Sequence, residues 1–109
     1  MKAFEFADVM DEWQGAGRPY FEFIKEPSLS MGLYVLPAGG VDRQTPHAED
    51  EVYYIIAGAG VLNVAGEDRT VGTGSIVFVE KRVEHFFHLI TEDLRILVFI
   101  TAAKERIAE

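Results

Sequence analysis

The chain has 109 residues, of which 49% are hydrophobic and 12% aromatic, a composition typical of one globular domain with its own core. Its 18 acidic and 10 basic side chains give a formal net charge of −8, which argues against nucleic-acid binding and against adsorption to an anionic membrane. The absence of cysteine excludes disulfide scaffolds, zinc fingers, iron–sulfur sites and thiol nucleophiles. Residues 1–13 lack the apolar core of a signal peptide, and no apolar run approaches the roughly 18 residues of a membrane span. We therefore expect a soluble cytoplasmic protein.

The predicted elements are mainly short strands. Helical periodicity is confined to residues 8–14 and 102–108. Between these segments, β-branched and aromatic runs predict strands at 20–24, 29–36, 52–57, 61–65, 75–79, 85–90 and 94–101. Turn residues at 58–60, 66–68, 72–74 and 91–93 separate them. Strand starts recur about every 8–12 residues, which indicates an all-β sandwich or barrel.

The apolar character of three strands and the length of one connection refine this prediction. The runs VYYIIA, SIVFV and LRILVFI are nearly continuous in apolar residues, so both faces of these strands are expected to be covered. This suits two sheets packed face to face, with one outer face covered by a partner or by the N-terminal residues. The one long connection, 37–46, is a candidate functional loop, because long connections in compact β domains tend to carry function.

The histidines supply the chemical signal. Only His47, His85 and His88 are present, and His47 lies four residues before Glu51 at the end of the long loop. His47, Glu51 and His85 converging in a barrel would form the two-His-one-carboxylate arrangement, which leaves metal positions open for a substrate. A histidine near a strand end is otherwise most often a surface or capping residue. His88 lies three residues after His85, so its side chain is expected to point to the opposite face of the strand.

The spacing around these residues resembles the two motifs of the cupin superfamily. In the first motif, Gly39 is followed after five residues by Thr45, Pro46 and His47, then after three by Glu51 and after six by Gly58. In the second motif, Gly74 is followed after five residues by the 80–82 turn and after two more by His85, with Leu89 in place of the motif's asparagine. Glu80 and Arg82 replace the proline and glycine of that turn.

This resemblance implies a single cupin jelly-roll barrel, a double-stranded β-helix, over residues 29–101. Residues 1–28 would then be an N-terminal extension and dimer element, and 102–109 a C-terminal tail. The metal ligands carried over are His47, Glu51 and His85. Thr45 stands where the family has its first metal histidine, so the fourth position is open to Gln44, Thr45, Glu49 or water.

Strand parity adds two further candidates. Tyr53 shares the parity of Glu51, and Phe87 shares that of His85, so each is expected to line the cavity or to pack in the core.

The resemblance implies a small metalloenzyme of the oxygenase, isomerase or lyase type, with iron, manganese, nickel or zinc, acting on a small polar molecule. The alternative, which Thr45 favours, is a non-catalytic cupin that binds a small ligand with weak or no metal. Large apolar residues crowd the first quarter of the chain and predict a homodimer.

Overall fold

Residues 1–102 are described in the computed structural model as one helix followed by six strands. The elements are α1 (Phe6–Ala16), β1 (Tyr20–Lys25), β2 (Leu29–Leu36), β3 (Glu51–Val64), β4 (Glu67–Gly72), β5 (Ile76–Val79) and β6 (His85–Thr101). Every strand pairing is antiparallel, in the order β1-β2-β6-β3-β4, and β5 pairs with the other part of the β3 edge that β4 uses. The all-β prediction is confirmed. Of the helix predicted at 102–108, residue 102 is described and is not helical, and the other residues lie outside the described part of the chain.

Strands β3 and β6 are each longer than predicted. Two predicted strands join in β3 and two more in β6, so the expected turns at 58–60 and 91–93 are bends within continuous strands. The β3–β6 register shifts between Ile55 and Val61, as at β-bulges, which bend a strand without ending it. Gly58 lies in this bend with a φ of 103°, and a Cβ there would overlap the carbonyl oxygen of Asp93. Only glycine tolerates such a close approach of two backbones.

Strand β4 was not predicted, because its sequence begins with residues that were assigned to a turn. The actual turn is the pair Ala65 and Gly66, whose φ values of 52° and 85° suit a type I′ hairpin. The strand lies at the edge of the sheet and its first four residues are exposed. An exposed edge strand needs no alternation of apolar and polar residues, so periodicity could not reveal it.

The core lies inside the bent sheet. Phe87 pairs with Leu62 in the β3–β6 ladder, yet its ring centroid lies 5.2 Å from that of Tyr53, nine residues earlier in β3. The two halves of the long strands therefore fold over one another, consistent with the predicted jelly-roll barrel. The buried core contains Leu36, Tyr53, Ile55, Leu62, Val71, Val79, Phe87, Ile90, Leu94, Ile96 and Val98.

Helix α1 covers part of the outside of the sheet. It packs against β1 and β2, where Val9 and Leu33 are buried apart from the main core. Phe4 packs edge-on against Phe23, with ring centroids 5.3 Å apart. The N-terminal residues thus cover the outer face at β1 and β2, whereas Ile76 and Phe78, in a run predicted to be covered on both faces, are exposed. The helical structure of residues 1–102 lacks the length and apolar character needed to cross a bilayer.

Candidate metal centre

Three elements bring His47, Glu51 and His85 together. His47 lies in the loop before β3, Glu51 is the first residue of β3, and His85 is the first residue of β6. The Arg82 N–H donates a hydrogen bond of 2.6 Å to the carbonyl oxygen of His47, which ties the turn before β6 to the loop before β3. Arg82 has a φ of 61°, so the backbone adopts the left-handed conformation even though arginine replaces the motif glycine.

The potential ligand atoms of these three residues all lie within 4.8 Å of one another. His85 Nε2 is 3.1 Å from Glu51 Oε2, and His47 Nε2 is 3.7 Å from Glu51 Oε1. The side chains of Glu51 and His85 are only 3% and 2% exposed, whereas that of His47 is 37% exposed. The cluster is therefore buried on two sides and opens beside His47.

Hydrogen bonds fix which atom of His85 faces the cluster. Its Nδ1 lies 2.7 Å from the carbonyl oxygen of Val83, which can only accept, so Nδ1 carries the proton and Nε2 faces Glu51. Burial alone would lower the pKa of His85, but hydrogen bonds to Glu51 and Val83 and the charges of Glu51 and Asp42 together raise it above its usual value. In the metal-free chain, protonation of His85 Nε2 therefore creates an ion pair with Glu51.

The hydroxyl group of Tyr53 completes the buried network. It donates to Glu51 Oε2 at 2.9 Å and lies 3.1 Å from Gln44 Oε1. Burial, followed by the negative charge of Glu51, raises the pKa of Tyr53 far above its usual value. In the metal-free chain Tyr53 is therefore protonated at neutral pH and donates a hydrogen bond to the carboxylate.

The other predicted site residues lie at different distances from the cluster. Gln44 Oε1 is 3.2 Å from His85 Nε2, whereas the Thr45 side chain is exposed. Glu49 is partly buried, and no hydrogen bond or ion pair joins its side chain to the cluster within residues 1–102. Phe87 packs against the Tyr53 ring in the core. His88 points away, with Nε2 2.9 Å from Asp68 Oδ1 and a side chain 32% exposed, as strand parity predicted.

A cavity of about 210 Å³ adjoins the cluster. Its lining comprises Tyr20, Tyr34, Gln44, His47, Glu51, Tyr53, Val98 and Ile100. Tyr20 and Tyr34, which face each other across the β1–β2 pairing, were not among the predicted site residues. Nor was Asp42, whose carboxylate is hydrogen-bonded to Tyr34 and Gln44. The available signal was the position of Asp42 in the one long loop, two residues before Gln44.

A family model described as "Cupin domain" matches residues 32–100. The chain is 44% identical over 98 residues to an uncharacterised protein of Streptomyces coelicolor, and the match covers 90% of this chain and 93% of that protein. It is 31% identical over 67 residues to an acireductone dioxygenase of Bacillus velezensis, covering 54% of this chain and 37% of the enzyme.

The fold is also similar to that of a solved enzyme. The crystal structure of the DMSP lyase DddQ from Ruegeria pomeroyi superimposes with a TM-score of 0.72 at 24% identity, over 81% of this chain and 48% of that one. This likeness shows the shared fold. The match covers 48% of the lyase and 37% of the dioxygenase. The activity of neither enzyme can therefore be assigned to this chain from the match.

Proposed function

Since the chain belongs to the cupin family, we propose that it binds a divalent metal ion through His47, Glu51 and His85 and acts as a metalloenzyme on a small polar molecule. The observation that carries this proposal is the convergence of two imidazole nitrogens and one carboxylate within 4.8 Å. These donors suit iron, manganese, nickel or zinc, and three protein ligands leave positions open for a small molecule. Oxygenase, isomerase and lyase reactions all remain within this proposal.

The residues around the cluster support metal binding. His85 donates its Nδ1–H to a backbone carbonyl, as metal-ligating histidines usually do with their second nitrogen. Glu51 is almost fully buried, and a buried carboxylate is expected to be paired or to bind a metal ion. A bound divalent ion would polarise a carbonyl or enolate oxygen and, in the case of Fe(II), support reaction with dioxygen.

The cavity supports a small substrate. Its volume of about 210 Å³ lies below the roughly 300–1,000 Å³ of drug-sized ligand sites, so a compact molecule fits it best. Val98 and Ile100 add apolar side chains to the lining, and these would exclude water from a bound molecule. A molecule with a polar head near Glu51 and a short apolar portion matches this lining.

A second function is supported by the contact between His85 Nε2 and Glu51 Oε2, which lie 3.1 Å apart. The protonated imidazole and Glu51 can neutralise each other without a metal ion, and Tyr53 adds a hydrogen bond to the same carboxylate. A hydrogen-bonded network that is complete without a metal ion suits a non-catalytic cupin that binds a small ligand with weak or no metal.

Metal analysis tests the proposal and separates the two functions. Protein purified without an affinity tag should contain near-stoichiometric metal, and His47→Ala, Glu51→Ala and His85→Ala should each lose tight binding. His88→Ala is the matched control, because His88 lies in the same strand but points away toward Asp68. We expect it to bind metal within a few-fold of the parent. Loss of metal from His88→Ala but not from His85→Ala would overturn the site, and a chain that binds no metal would favour the second function.

We also propose that the protein forms a homodimer in the cytoplasm. The acidic, cysteine-free composition supports the cytoplasmic location. Residues 1–28 are the dimer element that the sequence predicts, but Phe4 packs on Phe23 of its own chain. The interface proposed here is instead an apolar groove of about 520 Å³ on the outside of β3 and β5, where α1 gives no cover. Ile76 and Phe78 are 69% and 62% exposed there, and exposed apolar patches often mark interaction sites. Light scattering should give about twice the chain mass if a second copy covers this groove.

A further inference from the structure

The carboxylate of Asp42 joins three parts of the site. Its Oδ1 accepts hydrogen bonds from the Tyr34 hydroxyl at 2.5 Å and from the Gln44 backbone N–H at 3.3 Å. Its Oδ2 accepts from Gln44 Nε2 at 2.6 Å and from the Phe87 backbone N–H at 2.8 Å. Asp42 therefore anchors the long loop to β2 and to β6, and it contacts the side chain of Gln44 directly.

This contact determines how the Gln44 amide is oriented. An ionised carboxylate can only accept hydrogen bonds, so the amide atom 2.6 Å from Asp42 Oδ2 must be the NH₂ group. The Gln44 carbonyl oxygen then faces the cluster, 3.2 Å from His85 Nε2 and 3.1 Å from the Tyr53 hydroxyl oxygen. The opposite orientation would place the carbonyl oxygen against the carboxylate and an NH₂ group against the metal-facing nitrogen of His85.

Gln44 Oε1 is thus almost as close to His85 Nε2 as Glu51 Oε2 is, at 3.2 Å against 3.1 Å. When His85 is neutral, its Nε2 presents a lone pair to these two oxygens, which also carry lone pairs. A divalent cation among them would satisfy all three atoms, and amide oxygen is an accepted ligand for hard cations. Thr45, at the motif position of the missing histidine, is exposed and offers no such atom.

We propose that Gln44 Oε1 is the fourth protein ligand of the metal centre, and that Asp42 is the positioning residue that turns this oxygen toward the metal. The proposal rests on metal binding by His47, Glu51 and His85. Gln44 then replaces the histidine ligand that the family has at the position of Thr45. It can do so only while its amide is hydrogen-bonded to Asp42. The fourth ligand is neutral, so the site binds a divalent ion with a single carboxylate as its one charged ligand.

The test titrates Co²⁺ into the untagged full chain and records the affinity and the visible absorption spectrum of the bound ion. The variants are Gln44→Ala, Asp42→Ala and their combination, with Thr45→Ala as the matched control. Gln44→Ala should weaken binding by at least about tenfold and change the spectrum, because an oxygen ligand is removed. Asp42→Ala should weaken binding by about tenfold, as loss of a residue that orients a ligand typically does. The combination should be no weaker than Gln44→Ala alone, and Thr45→Ala should match the parent.

Two results would overturn the proposal. The first is parental affinity and spectrum in Gln44→Ala, which would leave Gln44 as a hydrogen-bond partner only. The second is an equal loss from Asp42→Ala whether glutamine or alanine stands at position 44, which would show that Asp42 acts independently of the amide.

An exchange of the carboxylate and the amide between positions 42 and 44 covers the case in which Asp42→Ala fails to fold. Gln44→Glu places two carboxylates in contact and should weaken Co²⁺ binding, whereas adding Asp42→Asn supplies an NH₂ donor and should restore it. Failure of Asp42→Asn to restore binding in Gln44→Glu would also overturn the positioning role. If the parent binds no Co²⁺, the proposed function itself fails. If the parent binds and His85→Ala does not, that function stands and positions 42 and 44 alone decide the inference.

Discussion

Replacement of Tyr20 or Tyr53 by phenylalanine should change the free energy of unfolding in opposite directions, although both side chains line the same cavity. The Tyr53 hydroxyl donates to the buried Glu51 carboxylate at 2.9 Å. The Tyr20 hydroxyl is buried against the backbone of Gly32, and no hydrogen-bond partner reaches it within the described residues. Burial, with the charges of Glu22 and Glu51, raises the pKa of Tyr20, so this hydroxyl keeps its proton. Replacement of either tyrosine by phenylalanine removes the same atom from different surroundings.

The expected magnitudes follow from these contacts. Tyr53→Phe removes a hydrogen bond to a charged group and should lower the free energy of unfolding by about 2 kcal/mol. For a domain of this size, that change corresponds to a fall in Tm of about 10 °C. Tyr20→Phe removes a donor that is desolvated without a partner, a state that costs about 1–3 kcal/mol. We expect it to raise the free energy of unfolding by about 1 kcal/mol, because the small void left beside Gly32 offsets part of the gain.

Urea denaturation of chelator-treated protein at pH 7 measures both changes on one scale. Metal must be removed, because ligand binding to the native state would add its own stabilisation. The midpoint for Tyr53→Phe should fall by about 1 M and that for Tyr20→Phe should rise. A similar loss of stability in both variants would refute the reasoning, since it would mean that the Tyr20 hydroxyl has a partner or that the Tyr53 hydrogen bond contributes little.

Three further outcomes are expected. The pKa of His85 is raised by folding, so its contribution to the stability of the metal-free protein is complete below the usual histidine pKa of about 6.5 and is lost as pH rises through the folded value. Denaturation across pH 5.5–9, with His85→Ala lacking this dependence, checks the sign, and a parent stabilised by rising pH would contradict it. Phe78→Glu should convert a dimer to a monomer in light scattering without changing metal content, because the side chain is exposed on the outer face. Gly58→Ala should cost about 3 kcal/mol in urea denaturation, since the new Cβ would overlap the Asp93 carbonyl, and a loss below about 1 kcal/mol would contradict the tight bend.

Much of the fold could be predicted from local patterns. The helix at 8–14 is present as Phe6–Ala16, and the predicted strand at 29–36 coincides with β2. The predicted elements differ from the observed ones where tertiary contacts override the local tendency of the residues. Glycine at 58–60 is a turn signal in isolation, but there it allows a bulge in a strand that continues on both sides. Polar residues at the start of β4 form an edge strand because a hairpin turn, and not apolar burial, sets their pairing.

The candidate site was predictable to the extent that motif spacing encodes it. The cupin-like spacing of His47, Glu51 and His85 anticipated three residues that the fold brings together. The spacing left Gln44, Thr45 and Glu49 equivalent, and only the geometry distinguishes them. The orientation of Gln44 depends on Asp42, which depends in turn on donors from β2 and β6. Such a network is set by residues far apart in the sequence, so no single pattern in the sequence could reveal it.

The division of the candidate metal ligands between β6 and the region of His47 and Glu51 has a consequence for folding kinetics. His47 and Glu51 are close in sequence, but His85 reaches them only after the β3–β6 ladder has formed across a long chain separation. Non-local β pairing of this kind folds slowly, and a complete set of ligands exists only late on the pathway. A metal ion that needs all three side chains would therefore leave the refolding rate nearly unchanged and slow the unfolding rate. In a cell, such an ion would lengthen the lifetime of the folded chain without helping it to fold.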